Sequence, residues 1–193
     1  MQYSSNVKDA AEVIKKGGLI VCPTEGVYGI SCNMEDHDAI DRLINLKKRD
    51  IGKGLIVVDS VLSRVINLLD ARHISVQSYA LMMKMWPGPH TFVVPVKKGY
   101  SNRAIRIDNT LALRVTAFKT MMELCDSSGC PLISTSANLS GNPASADLSN
   151  IDKEILEGVD LVLNLPCGGQ REPTSIYDIV TDTLIRKGPN WRE

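Results

Sequence analysis

Leu19-Ile20-Val21-Cys22, followed by Pro23-Thr24-Glu25-Gly26-Val27-Tyr28-Gly29, is the stretch on which the fold turns. Four apolar residues in a row read as a buried strand. Upstream, Val7, Ala10, Ala11 and Ile14 recur at helical spacing, with Asn6 at the N-cap position and Gly17-Gly18 at the stop. Downstream, a proline, two glycines and a Thr-Glu pair make a tight loop at the strand's carboxyl end. Small-molecule sites in α/β sheets favour such places.

The same alternation continues along the chain. Ile40, Leu43, Ile44 and Lys47 mark a second helix that starts near Asp36, and its last turn delivers Lys47, Lys48 and Arg49. Residues 55–58 form the next buried strand. Helices are expected over 62–69, 76–85 and 119–126, and a short one from Asp147 to about Leu156. Strands are expected over 91–96, 110–115, 131–134, 161–163 and 175–180. Strands and helices interleave without strict βαβ regularity. This predicts an α/β fold of mixed type, a twisted mixed sheet with helices packed on it, within one domain over 1–193.

Composition removes whole classes of function. The 193 residues carry 22 Lys plus Arg against 22 Asp plus Glu, so the formal net charge is zero. Proteins that depend on bulk attraction to nucleic acid or anionic lipid are usually basic. No apolar run approaches the ~20 residues of a membrane span. The N-terminus reaches Lys8 and Asp9 without the apolar core of a secretory signal. Five cysteines at irregular spacing suit free thiols in a reducing cytoplasm. Walker A, GxGxxG, HExxH, zinc-finger and GxSxG patterns are all missing, and His37, His73 and His90 stand far apart with no motif around them.

Two further stretches join the Pro23–Gly29 loop. In Leu46-Lys47-Lys48-Arg49-Asp50-Ile51-Gly52-Lys53-Gly54, four cations fall within seven positions. The helix macrodipole accounts for Lys47 and Lys48 but not for Lys53, which lies beyond the helix. A phosphate-rich ligand accounts for all four. In Pro131-Leu132-Ile133-Ser134-Thr135-Ser136-Ala137-Asn138-Leu139-Ser140-Gly141-Asn142, a strand runs into a dense set of small hydrogen-bonding side chains. Such a loop can cradle a phosphate or a polar amino acid.

Taken with Trp86-Pro87-Gly88-Pro89, Leu111-Ala112-Leu113-Arg114-Val115 and Pro173-Thr174-Ser175, these motifs resemble the YrdC-like threonylcarbamoyl-AMP synthases in their short single-domain bacterial form. The resemblance runs from the first helix to Arg186. Two positions depart from the family's usual pattern: Gly26, where many members have Thr or Ala, and Asp50, where most have Pro. The resemblance implies a fold like that of dihydroxybutanone-phosphate synthase, with an open concave groove. It implies synthesis of threonylcarbamoyl-adenylate and pyrophosphate from L-threonine, bicarbonate and ATP with Mg²⁺. The product would pass to tRNA threonylcarbamoyl-transfer proteins for modification of adenosine 37 in tRNAs reading codons that begin with A.

By the same resemblance Thr24, Arg114, Ser134 and Thr174 contact threonine, with Arg114 on its carboxylate. Arg49, Lys53, Thr110, Ser136 and Arg186 contact ATP, and Lys47, Arg49, Ser136 and Asn138 form the catalytic set. No metal ligand among the protein side chains is implied. The alternative is an RNA-binding module of the same fold without this catalysis. Zero net charge and 5% aromatic residues count against it, because sequence-general RNA binding uses basic grooves and stacking rings; any RNA affinity is expected to be weak and salt-dependent.

If Arg49 grips phosphate oxygens through its planar fork while Lys47 acts as a charge, Arg49→Lys keeps the charge but loses the bidentate geometry. Steady-state kinetics are expected to show a fall of about a hundredfold in kcat/KM for Arg49→Lys and a milder effect for Lys47→Arg. Near-normal kinetics for Arg49→Lys would reduce that position to one more charge at a helix end.

Overall fold

A computed structural model describes residues 2–48 and 54–191. Ten strands form one mixed sheet in the order β1-β8-β2-β3-β7-β4-β6-β5-β9-β10. The strands are β1 (Gln2–Ser4), β2 (Ile20–Pro23), β3 (Tyr28–Asn33), β4 (Ile56–Asp59), β5 (His90–Pro95), β6 (Thr110–Val115), β7 (Leu132–Ser136), β8 (Leu161–Leu163), β9 (Ser175–Asp178) and β10 (Thr183–Arg186). Five neighbouring pairs are antiparallel and four parallel. The helices are α1 (Val7–Lys15), α2 (His37–Leu46), α3 (Leu62–Ile66), α4 (Val76–Met85), α5 (Lys119–Ser128) and α6 (Lys153–Gly158).

Period-two alternation along the strands sorts the apolar residues into two layers. Val21, Ile30, Val57, Leu113 and Ile133 pack with α2, α3, α4 and α6 on one face. Ile20, Cys22, Val58, Leu132 and Leu161 pack with α1 and α5 on the other. A sheet buried on both faces reads as continuous apolar runs, which is why its strands are legible as blocks. The caps follow the sequence: Asn6 accepts from the backbone of Lys8, Asp36 from that of Ala39, and Gly129 closes α5 at φ +74.

Several expectations are corrected. The tight loop expected over Pro23–Gly29 narrows to the turn of a β-hairpin: β2 and β3 pair antiparallel with Pro23 opposite Tyr28, and only 24–27 turn. Thr24 closes the turn, its N–H and its hydroxyl both donating to the Val27 carbonyl, at 3.1 and 2.7 Å. β3 was not anticipated because Gly29, Ser31 and Asn33 depress strand propensity; its place between β2 and β7 overrides that. The edge strands β1 and β10 were also not anticipated. The segment after Asp147 splits in two: a single 3₁₀ turn at Leu148–Asn150, capped by Asp147, and then α6. α3 stops at Ile66 and β9 at Asp178, whose carboxylate accepts from the backbones of Val180 and Thr181 and turns the chain.

Phe92 is fully buried between Trp86 and Tyr177, edge-on to both rings. Phe92→Ala is expected to cost about 3–5 kcal/mol in denaturant unfolding. Val76→Ala, at a position 81% exposed, is expected to cost almost nothing.

Candidate active site

Helices α1 and α5 cover only part of their face of the sheet. Along β7, Leu132 lies under them, whereas Ser134 and Ser136, of the same parity, do not. Along β6, Leu111, Leu113 and Val115 enter the opposite core while Ala112 and Arg114 face away from it. The uncovered area is the floor of a cavity of about 160 Å³. Gly29, Ile56, Ala112, Arg114, Ser134 and Ser136 form that floor. Thr24, Val27, Gly54, Arg106, Pro173, Thr174, Ile185 and Arg186 stand around it. Gly29 keeps the floor open: a Cβ there would lie 3.3 Å from the Thr24 methyl and 3.5 Å from the Ser134 hydroxyl.

Arg114 is 3% exposed, so its guanidinium must be met inside the protein. One terminal nitrogen lies 3.3 Å from Glu25 Oε2, and the other donates to the Thr174 hydroxyl at 2.9 Å. Glu25 is itself buried, and its Oε1 accepts from the Thr116 hydroxyl at 2.7 Å. Arg114 Nε and Glu25 Oε2 have no hydrogen-bond partner, so the pair keeps unused capacity at the edge of the cavity. Arg186 Nε donates to the Thr174 carbonyl at 2.7 Å, so two arginines hold Thr174 from its two polar groups.

Lys47 is not on the cavity wall. It is 1% exposed at the end of α2, and its ammonium donates to the carbonyl oxygens of Ser136 and Asn138, the latter at 2.6 Å, with Asn138 Oδ1 at 3.5 Å. The Ser140 N–H returns a bond to the Lys47 carbonyl. Asn138 does not face the cavity either: its amide donates to the carbonyls of Leu139 and Asn142. Asp152 takes the Leu139 N–H and the Asn142 amide. The polar loop after β7 is thus largely occupied in holding its own shape. On this geometry Lys47→Arg is expected to disturb the loop, because a bulkier guanidinium would replace an ammonium enclosed by three oxygens.

Of the residues assigned from sequence, Thr24, Arg114, Ser134, Ser136, Thr174 and Arg186 come together around one cavity. Thr110 does not line it; its hydroxyl donates to Asp108 at 2.5 Å. Arg49 and Lys53 lie outside the described residues, as do Asp50 and Gly52. Glu25 and Arg106 were given no role. A lone cation inside the apolar strand Leu111–Val115 was the signal for a buried carboxylate, and Glu25 is the one that meets it. His90 has a structural partner, Ser175, at 2.8 Å; burial pushes its pKa down.

Gly26 also has its reason. A Cβ at that position would lie 1.8 Å from the Glu172 carbonyl oxygen. The strap 166–174 crosses the hairpin turn here, with the N–H groups of Gly168 and Gln170 bonded to the carbonyls of Thr24 and Glu25.

Residues 12–188 match the Sua5/YciO/YrdC domain family, whose description reads telomere recombination. The chain belongs to this family. A relative from Xanthomonas campestris pv. campestris, named threonylcarbamoyl-AMP synthase, is 34% identical over 186 residues, covering 96% of this chain and all of the relative. A protein of the same name from Photobacterium profundum is 33% identical over 183 residues, or 95% and 99% of the two chains. Among solved structures, P. abyssi Sua5 complexed with L-threonine superposes with a TM-score of 0.81 at 25% identity, covering 97% of this chain. This chain spans 56% of that Sua5 chain. E. coli YciO gives a TM-score of 0.79 at 25% identity, covering 97% and 94%.

The geometry separates two substitutions that the sequence treats alike. Asn138→Ala removes several bonds from the loop and is expected to lower stability by about 1–3 kcal/mol along with activity. Ser136→Ala, at the cavity edge, is expected to lower activity with little change in Tm. Equal melting temperatures for the two variants would contradict the division.

Proposed function

We propose that this protein is a threonylcarbamoyl-AMP synthase, joining L-threonine, bicarbonate and ATP and releasing pyrophosphate. The observation that carries the reading is the convergence of Thr24, Arg114, Ser134, Ser136, Thr174 and Arg186 on one cavity. The names of the full-length relatives and the threonine complex of Sua5 support it over an RNA-binding module.

The chemistry suits the residues. Bicarbonate carbon bonds to the threonine amine with loss of water, giving a carbamate. A carbamate oxygen then bonds to the α-phosphorus of ATP as the bond to the β-phosphate breaks. The nucleophile is already an anion, so the protein needs alignment and charge neutralisation rather than a Ser-His pair. Arg114 takes the threonine carboxylate, with Thr174 and Glu25 fixing its plane. Thr24 and Ser134, adjacent across Gly29, serve the polar end of the amino acid. Ser136, Arg186, Arg49 and Lys53 serve the nucleotide. A cavity of about 160 Å³ is small beside the ~300–1,000 Å³ of sites that enclose a drug-sized ligand. It suits the amino acid, with the nucleotide running out past Arg186.

Among the described residues no group of three or more His, Cys, Asp or Glu side chains is placed to hold a metal ion. Mg²⁺ would accompany ATP and offset the charge of its phosphates.

Pyrophosphate release is expected to require both L-threonine and bicarbonate, tested by omitting each from a mixture with ATP and Mg²⁺. ATP turnover indifferent to threonine would sink the reading. Arg114→Lys is expected to raise KM for threonine by about tenfold or more, since a point charge does not replace a fork on a carboxylate.

A further inference from the structure

Among the described residues three arginines stand at the cavity, and no sequence motif points to one of them. Arg114 meets Glu25 and Thr174 with its two terminal nitrogens, and Arg186 Nε meets the Thr174 carbonyl. Arg106 is held more loosely. Its Nε, like that of Arg114, is buried without a hydrogen-bond partner, and among the described residues neither of its terminal nitrogens has a side-chain partner like those of Arg114. The carboxylate nearest to it, Asp108, is 3.5 Å away and already accepts the Thr110 hydroxyl and N–H through its other oxygen. The side chain is 26% exposed, enough to meet a ligand and too little to be fully hydrated.

The fold holds this side chain against the wall from two sides. Its stem lies on Gly54, at φ +62, where a Cβ would come within 2.6 Å of Arg106 Cγ and 3.2 Å of Cδ. Its backbone is pinned in the turn before β6: Arg106 N–H donates to the Thr110 carbonyl at 2.9 Å, and Asn109 N–H, from a residue at φ 58, donates to the Arg106 carbonyl at 3.0 Å. A fixed, partly desolvated guanidinium with donors to spare matches a phosphate oxyanion better than any neutral ligand.

We propose that Arg106 is a further substrate-binding residue of this site, donating to phosphate oxygens of the nucleotide and of the pyrophosphate that leaves it. The proposal rests on the synthase reading above. Arg114 holds the threonine carboxylate, so Arg106 acts on the nucleotide side only.

The test uses the full chain with Arg106→Gln and Arg106→Lys. Pyrophosphate release is measured against ATP at saturating threonine and against threonine at saturating ATP. Binding of inorganic pyrophosphate, AMP and ATP is measured by calorimetry without turnover. Arg106→Gln is expected to lower kcat/KM for ATP and weaken pyrophosphate binding by about tenfold or more, the loss of one charged hydrogen bond. KM for threonine is expected to stay within about twofold, and Arg106→Lys to recover part of the loss. AMP binding tells whether the α-phosphate shares the contact. Unchanged ATP and pyrophosphate parameters in an active protein would overturn the proposal. So would a loss spread evenly over ATP and threonine with a lowered Tm, which is the mark of a structural arginine. If the wild-type protein releases no pyrophosphate at all, the synthase reading fails by itself, and the pyrophosphate titration of wild type against variant still decides Arg106.

Discussion

A guanidinium buried in the middle of a β-sheet has to be met by a carboxylate, and here that requirement ties three distant segments together. Arg114 comes from β6, Glu25 from the β2–β3 hairpin turn, and Thr174 from the strap that leads into β9. None could sit where it does without the others. Removing one partner would leave a charge stranded in the interior, at a cost of about 3–5 kcal/mol. Backbone bonds from Gly168 and Gln170 and the close approach at Gly26 secure the same crossing. The departure from the family pattern at Gly26 is therefore not a loosened loop. It is a position where a side chain would collide with the strap, since a Cβ there would lie 1.8 Å from the Glu172 carbonyl oxygen.

The cavity follows from an incomplete layer. Every strand of the sheet's centre alternates its side chains, and one set is buried by α2, α3, α4 and α6. The other set is buried by α1 and α5 over only part of its area. Where these helices stop, the outward residues change from Leu132 and Val58 to Ser134, Ser136 and Ala112, with Ile56 at the margin of both. Exposing that floor costs little because most of it is small or polar. A rigid sheet beneath it holds donors in place, which positioning chemistry requires.

Lys47 shows a cation of the motif set turned to structural use. A buried ammonium enclosed by the carbonyls of Ser136 and Asn138 fixes the end of β7, where Ser136 reaches the cavity edge, to the loop that follows. Asp152 holds the same loop by accepting the Leu139 N–H and the Asn142 amide. Lys47 and Asn138 thus hold the chain around Ser136, and Ser136 is the member of that trio that lines the cavity.

Local pattern alone determined the strands that are apolar on both faces, the amphipathic helices with their Asn6 and Asp36 caps, and the motifs that name the family. These depend on short-range periodicity and side-chain chemistry, which a sequence carries in full. Tertiary structure decided what depends on partners far along the chain. It made a strand of Tyr28–Asn33, since β2 and β7 flank it and outweigh its glycine and serine. It turned Lys47 inward, because the oxygens that receive it lie about ninety residues away. It gave Glu25 its task, since the arginine it meets is on another strand, and it put Arg106 at the cavity through a glycine fifty-two positions earlier. Burial and pairing are properties of the assembled sheet, and no stretch of the chain contains them by itself.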